Sequence, residues 1–171
     1  MAEQQVEPTA TEILASTPGA LRALLAGVPQ SVLERPGDGG WSPKDVVAHL
    51  VDAHGVAFTD RIMRILREDR PFIRPIDPSA RLHEGEVASW PLERLLDELQ
   101  HLRDADGDVL RRLGASELQR AGEHEQAGEI TVSDLAHYFA CHDMTHLAQI
   151  AMMLRSHLAP KTGNMSMFLE Q

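Results

Sequence analysis

Apolar residues recur every three or four positions through four long stretches of this chain, a spacing that restricts it to packed amphipathic helices. One stripe runs through Leu92, Leu95, Leu99, Leu102, Val109 and Leu113, and another through Val132, Leu135, Phe139, Gln149 and Met153. A third carries Val46, Val47, Leu50, Ala53, Ala57, Phe58, Ile62 and Ile65, and the first begins at Ile13 and reaches Val28. No stretch alternates convincingly with a period of two, and no internal repeat interrupts the series. Four long helices with extended connectors predict an all-α four-helix bundle. At 171 residues and 43% hydrophobic content the chain has core enough for one domain, 1–171, with the first ten residues frayed.

Local signals place the helix ends. Pro18 falls inside the first helix and predicts a kink there. The turn cluster Arg-Pro-Gly-Asp-Gly-Gly precedes Trp41-Ser42-Pro43-Lys44-Asp45, with Ser42 at the N-cap, Pro43 at N1 and Asp45 at N3. That second helix should run to about Arg67. Residues 69–86 hold three prolines and no period. Ordered loops longer than about 12–15 residues are usually functional. A third helix opens at Ser89–Pro91, with Asp106 on its apolar seam as a polar position near a frayed end. A Gly-rich, charged connector covers 114–129, and Thr131 with Asp134 starts a last helix reaching about His157.

Charge removes whole classes of partner. Sixteen Lys+Arg against 26 Asp+Glu leave a net charge of −10. Nucleic-acid and anionic-membrane binding both draw on cationic side chains, so neither partner is expected. No run of about 20 apolar residues could span a bilayer, and the N-terminal residues lack the features of a signal peptide. A cytoplasmic location is the expectation. The one cysteine, Cys141, reads as a small buried residue.

The chain carries nine histidines, and histidine is the commonest metal ligand near neutral pH. His142 and His146 lie on the inward stripe of the last helix, about 40° apart in projection. Two imidazoles at i and i+4 on one face can share a metal ion, which would offset the desolvation of placing both in an apolar stripe. A third ligand must come from another helix, and periodicity leaves His49 and His54 both open. His137 is rotated away, His83 and His124 sit on connectors that could reach the mouth of a site, and His101 and His157 read as surface residues.

Trp41-Ser-Pro-Lys-Asp-Val-Val-Ala-His-Leu50, the connector around Gly122-Glu-His124, and His142-Asp-Met-Thr-His146-Leu-Ala-Gln149 together resemble the DinB/YfiT-like superfamily of metalloenzymes along essentially the whole chain. The resemblance implies a four-helix bundle of unusual topology, a homodimer, and a divalent metal held by His49, His142 and His146, with His54 left to the core or cavity wall. Three neutral imidazoles with an open position fit a catalytic rather than a structural site, and Zn, Ni, Fe or Mn would accept them. Asp143 and Asp45 are candidates for orienting the ligand histidines.

Characterised members of the superfamily imply a transferase that activates a low-molecular-weight thiol against an electrophilic small-molecule substrate. The 69–86 loop and the 114–130 connector would line the pocket, and Arg120, His124 and Asp143 are the candidate catalytic or anion-binding residues. A metal-dependent hydrolase is the alternative enzyme. The segment His142-Asp-Met-Thr-His146 differs from the zincin motif by Asp for Glu, which argues against a protease. A non-catalytic, stress-associated dimeric metal-binding protein is the third reading. An apolar surplus near the C-terminus (Met152, Met153, Leu154, Leu158, Met165, Met167, Phe168) also points to a dimer.

Overall fold

The computed structural model describes residues 8–76 and 86–169. Its helices are α1 (Pro8–Leu25), α2 (Gln30–Leu33), α3 (Pro43–Ala53), α4 (Asp60–Arg67), α5 (Leu92–Arg112), α6 (Ala115–Leu118) and α7 (Val132–Leu158). A π-helical segment, His54–Thr59, joins α3 directly to α4. The expected second helix is therefore one rod with a wide turn in its middle. This rod, α1, α5 and α7 form the four-helix bundle; α1 packs along α5 and α7, and α3 contacts the same two helices. Among the described residues, no helix is long and apolar enough to cross a membrane.

Two apolar clusters fill the bundle. One gathers Leu14, Phe58, Ile62, Ile65, Leu110, Val132 and Phe139, and the other Leu21, Val46, Val47, Leu50, Leu95, Leu99 and Ile150. The predicted starts of α3 and α7 are reciprocal capping boxes. Ser42 Oγ accepts from the Asp45 N–H at 3.2 Å and Asp45 Oδ2 accepts from the Ser42 N–H at 2.9 Å. The Thr131–Asp134 pair repeats this at 3.0 and 2.9 Å. α1 continues through Pro18, where Thr17 Oγ1 donates to the Ile13 carbonyl at 2.9 Å. It begins at Pro8, within the stretch expected to fray, and ends at Leu25, short of Val28.

The absence of strands is corrected. Both connectors contribute to a three-stranded sheet of order β1 (Phe72–Ile73), β2 (Ala121–His124), β3 (Gly128–Thr131). β1 runs parallel to β2 and β2 antiparallel to β3. Strands of two to four residues are too short to print an alternation in the sequence. Gly122 is required there, because a Cβ at that position would lie 2.9 Å from the Pro71 carbonyl oxygen. Gly128 closes the hairpin at φ 75°.

Cys141 is exposed on α7, not buried. Of the C-terminal apolar residues, Met153 and Leu154 pack against the core, whereas Met152, Leu158, Met165, Met167 and Phe168 remain exposed.

Asp106 is no frayed-end position. It is buried in a charged cluster with Arg103, Asp143 and His54, all four less than 9% exposed. Arg103 grips Asp143 with two parallel bonds, Nε to Oδ2 at 2.8 Å and Nη2 to Oδ1 at 2.7 Å. Its Nη1 reaches Asp106 Oδ2 at 3.3 Å, and Asp106 Oδ1 accepts from His54 Nε2 at 2.7 Å. Burial opposes the guanidinium charge, but Asp143 and Asp106 outweigh it and hold the Arg103 pKa above its ordinary value. Removing one partner of a buried ion pair strands the others without compensation. Arg103→Met should therefore lower the free energy of unfolding by about 3–5 kcal/mol, measured by urea denaturation. A loss below about 1 kcal/mol, the scale of an exposed pair, would show that the cluster contributes nothing to stability.

Candidate metal centre

The capping box fixes how the chain enters α3, and Trp41 and His49 follow from it. Trp41 lies just before the N-cap, and His49 faces inward two turns along the helix. The two rings are 4.9 Å apart, and the Trp41 ring also stacks on His146 at 6.5 Å. From α7, His142 and His146 project toward the same point. His142 Nε2 stands 3.4 Å from His49 Nε2 and 3.2 Å from His146 Nε2. One nitrogen from each of the three histidines lies within 4.8 Å of the other two.

These spacings fit a shared ion. Ligand nitrogens about 2.0–2.1 Å from a tetrahedral metal are separated by about 3.3–3.4 Å along each edge. Gln149 supplies the orientation: its Oε1 accepts from His146 Nδ1 at 2.8 Å, which leaves the Nε2 lone pair facing the cluster. Burial, then His146 and His142, press the His49 pKa down to about 3. Burial, then His146, lower that of His142 to about 4, with Asp143 pulling the other way. Burial also lowers His146, against Gln149 and Asp143. Three unprotonated imidazoles at neutral pH form a neutral nitrogen donor set, which suits Zn, Ni or Fe better than Mn.

The histidines open onto a cavity of about 230 Å³ whose wall includes Asp52, Arg61, Ile76, Tyr138 and Phe139. The π segment explains why one helical rod supplies so much of that wall. Along an α-helix, residues four apart drift about 40° around the axis. A π turn advances only about 82° per residue, so the same step falls back by about 30°. His49, Ala53, Ala57 and Arg61 therefore stay on one face, and all four line the cavity.

Other expected site residues are placed elsewhere. Asp45 is engaged in the α3 cap, and its Oδ2 also accepts from Ser42 Oγ at 2.7 Å. Asp143 binds Arg103 rather than a ligand histidine, and among the described residues His142 Nδ1 is buried without a hydrogen-bond partner. Arg120 donates to the carbonyls of Ile65 and Glu68, each at 2.8 Å, and so secures the end of α4. His124 lines a separate cavity of about 250 Å³ that, among the described residues, shares Arg61 and Tyr138 with the first. Its Nδ1 accepts from the backbone of Gln126 and Ala127 at 3.3 and 3.2 Å. His54 is buried against Asp106, His137 Nδ1 donates to the Ser133 carbonyl at 2.7 Å, and His101 is exposed. His157, half-buried, accepts from Lys161 at 2.8 Å. His83 and part of the 69–86 loop lie outside the described residues. Gln149 and Arg61 are the contributors that sequence reasoning passed over. Gln149 was visible as the end of His146-x-x-Gln, whereas Arg61 reaches the site only through the π turn.

Comparison with known proteins agrees with this architecture. The family model described as the DinB superfamily matches residues 13–150. A Geobacillus thermodenitrificans protein, provisionally named a metal-dependent hydrolase, is 35% identical over 140 residues, covering 81% of this chain and 78% of the relative. The similarly named YfiT of Bacillus subtilis is 29% identical over 146 residues, covering 84% and 82%. The solved structure of YfiT superimposes with a TM-score of 0.77 at 28% identity, covering 86% of this chain and 85% of that one. YfiT is described there as a probable metal-dependent hydrolase with an unusual four-helix bundle topology.

Acid should probe the cluster directly. In the folded, metal-free protein His49 stays neutral until about pH 3, whereas the unfolded chain protonates it below about pH 6.5. Its contribution to stability is thus complete above pH 6.5 and is lost as the pH falls from there toward 3. Urea midpoints of metal-stripped protein should drop faster between pH 6.5 and 4.5 for wild type than for His49→Leu. The difference should approach about 1.4 kcal/mol per pH unit, and identical slopes would show that His49 is not held neutral.

Proposed function

This chain belongs to the DinB superfamily, and from that premise we propose that it is a divalent-metal-dependent enzyme using His49, His142 and His146 as ligands. The observation that carries this reading is the convergence of three Nε2 atoms, two of the separations being 3.2 and 3.4 Å, at the edge of a cavity. When bound, a divalent ion there supplies Lewis acidity, and neutral ligands leave it its full charge to lower the pKa of a nucleophile beside it.

The protein's own residues define the rest. Gln149 holds the His146 tautomer, and burial keeps all three imidazoles deprotonated and ready to bind. Trp41 covers one side of the cluster, and Phe139 and Tyr138 wall the cavity on another. The nucleophile we assign is a low-molecular-weight thiol, in a transferase reaction with an electrophilic small molecule. The cavity carries an arginine able to neutralise an anionic group on either reactant. A hydrolytic reaction with water in place of the thiol is the second reading, favoured by the names of the relatives.

We also propose a homodimer, in which the exposed C-terminal residues Met165, Met167 and Phe168 would meet a second copy. Light scattering at micromolar concentration should give twice the monomer mass of 18.9 kDa, and a monomeric mass would refute this.

One divalent ion per chain is expected by elemental analysis. His146→Ala should reduce it at least tenfold while leaving the helical circular dichroism intact, because His146 belongs to neither core cluster. Unchanged metal content in His146→Ala would place the ion elsewhere. Loss of helicity on metal removal would make the metal structural. A screen of small thiols with an electrophilic acceptor should show metal-dependent thioether formation. Metal-dependent turnover of ester or amide substrates without any thiol requirement would favour the hydrolase.

A further inference from the structure

Beside the histidine cavity lies a groove of about 550 Å³ that shares Arg61 and Ile76 with it. Among the described residues three arginines line this groove, Arg61, Arg64 and Arg74, against one carboxylate, Asp60. Such a concentration of positive charge runs against the chain's net charge of −10. Arg64 is committed, its guanidinium holding Glu68 at 3.0 and 3.2 Å. Arg61 and Arg74 are not: among the described residues neither forms a salt bridge. Arg61 donates only to the Arg74 carbonyl, at 2.9 Å, and the Arg74 side chain makes no hydrogen bond there.

Arg61 is half-buried, which normally calls for a counter-charge. Burial pulls its pKa below the ordinary value, with Tyr138 and Asp60 opposing. The π turn carries this residue to the boundary between groove and metal cavity, and π segments inside α-helices cluster at functional positions. Phe72, 51% exposed, adds an aromatic surface to the same groove.

We propose that Arg61 and Arg74 form an anion subsite that binds a carboxylate on one of the small molecules reacting at the neighbouring histidine cluster. The planar guanidinium fork of arginine matches a carboxylate in two hydrogen bonds. A reactant anchored in the groove would extend past Arg61 into the cavity, so the subsite selects substrates that carry the anion at one end and the reacting atom at the other. This assignment rests on the metal-dependent reading of the histidine cluster, but its test does not.

The probes are succinate, the neutral isostere succinamide, and mercaptosuccinate, titrated calorimetrically into the protein as purified and again after metal removal. Wild type should bind succinate saturably and succinamide at least tenfold more weakly. Arg61→Gln and Arg74→Gln should each weaken succinate at least fivefold without altering metal content or circular dichroism. Arg64→Gln should change it less than twofold. If mercaptosuccinate gains affinity over succinate only when metal is present, the anion belongs to the thiol reactant. Equal affinities assign it to the electrophile, and either result upholds the subsite. Absence of saturable succinate binding would overturn it. So would affinity that both arginine variants retain, including binding lost on metal removal alone, which would place the carboxylate on the metal. Failure of His146→Ala to lose metal would remove the proposed function while leaving the succinate result standing.

Discussion

The paired hydrogen bonds from Arg103 to Asp143 clamp α5 to α7 at the residue adjoining His142. A charge this deeply buried is tolerated only when its partners are fixed, so the clamp also fixes the helix that presents two of the three clustered histidines. Through Asp106 and His54 the same cluster reaches the π segment that continues α3, the helix bearing His49. The polar interior therefore ties the two helices that carry the histidines to α5, in a bundle whose remaining core is largely apolar and offers little directional preference.

That arrangement divides the work between rigid and open parts. The histidines and Gln149 project from helices whose starts are locked by capping boxes, so their separations depend little on the connectors. The connectors build the small sheet instead. Arg120 and the contact of Gly122 with Pro71 pin that sheet to the end of α4, beside the groove. Precision is placed on helices, and access is placed where helix meets sheet.

Much of this was legible in the chain. The three-four spacing revealed the four long helices, and capping boxes marked the starts of two of them, α3 and α7, to the residue. His142 and His146 stood out because imidazoles displaced apolar residues in a buried stripe. Periodicity left His49 and His54 both open, and the resemblance to a metalloenzyme superfamily pointed to His49; the structure brings His49 to the pair and turns His54 toward Asp106. The misses share a cause. Asp106, Asp143 and Arg120 take their roles from partners distant in sequence or from backbone carbonyls, which side-chain patterning does not encode, and Asp45 stays in the capping box that the sequence itself marked. The sheet was invisible because its strands are too short for a period. The π turn was invisible because nothing in His54–Thr59 announces an extra residue.

That extra residue bears on how such a site can be acquired. A helix that gains one amino acid can absorb it as a π bulge, leaving both flanks in their original packing. Upstream, His49 keeps its direction; downstream, Ile62 and Ile65 keep theirs in the core. Only the residues of the wide turn itself are re-aimed, and Arg61 follows directly behind it at the start of α4. A residue absorbed in this way widens the helix at the cavity wall while the ligand before it and the arginine after it keep the directions set by bundle packing, so a pocket can be reshaped without repacking the core.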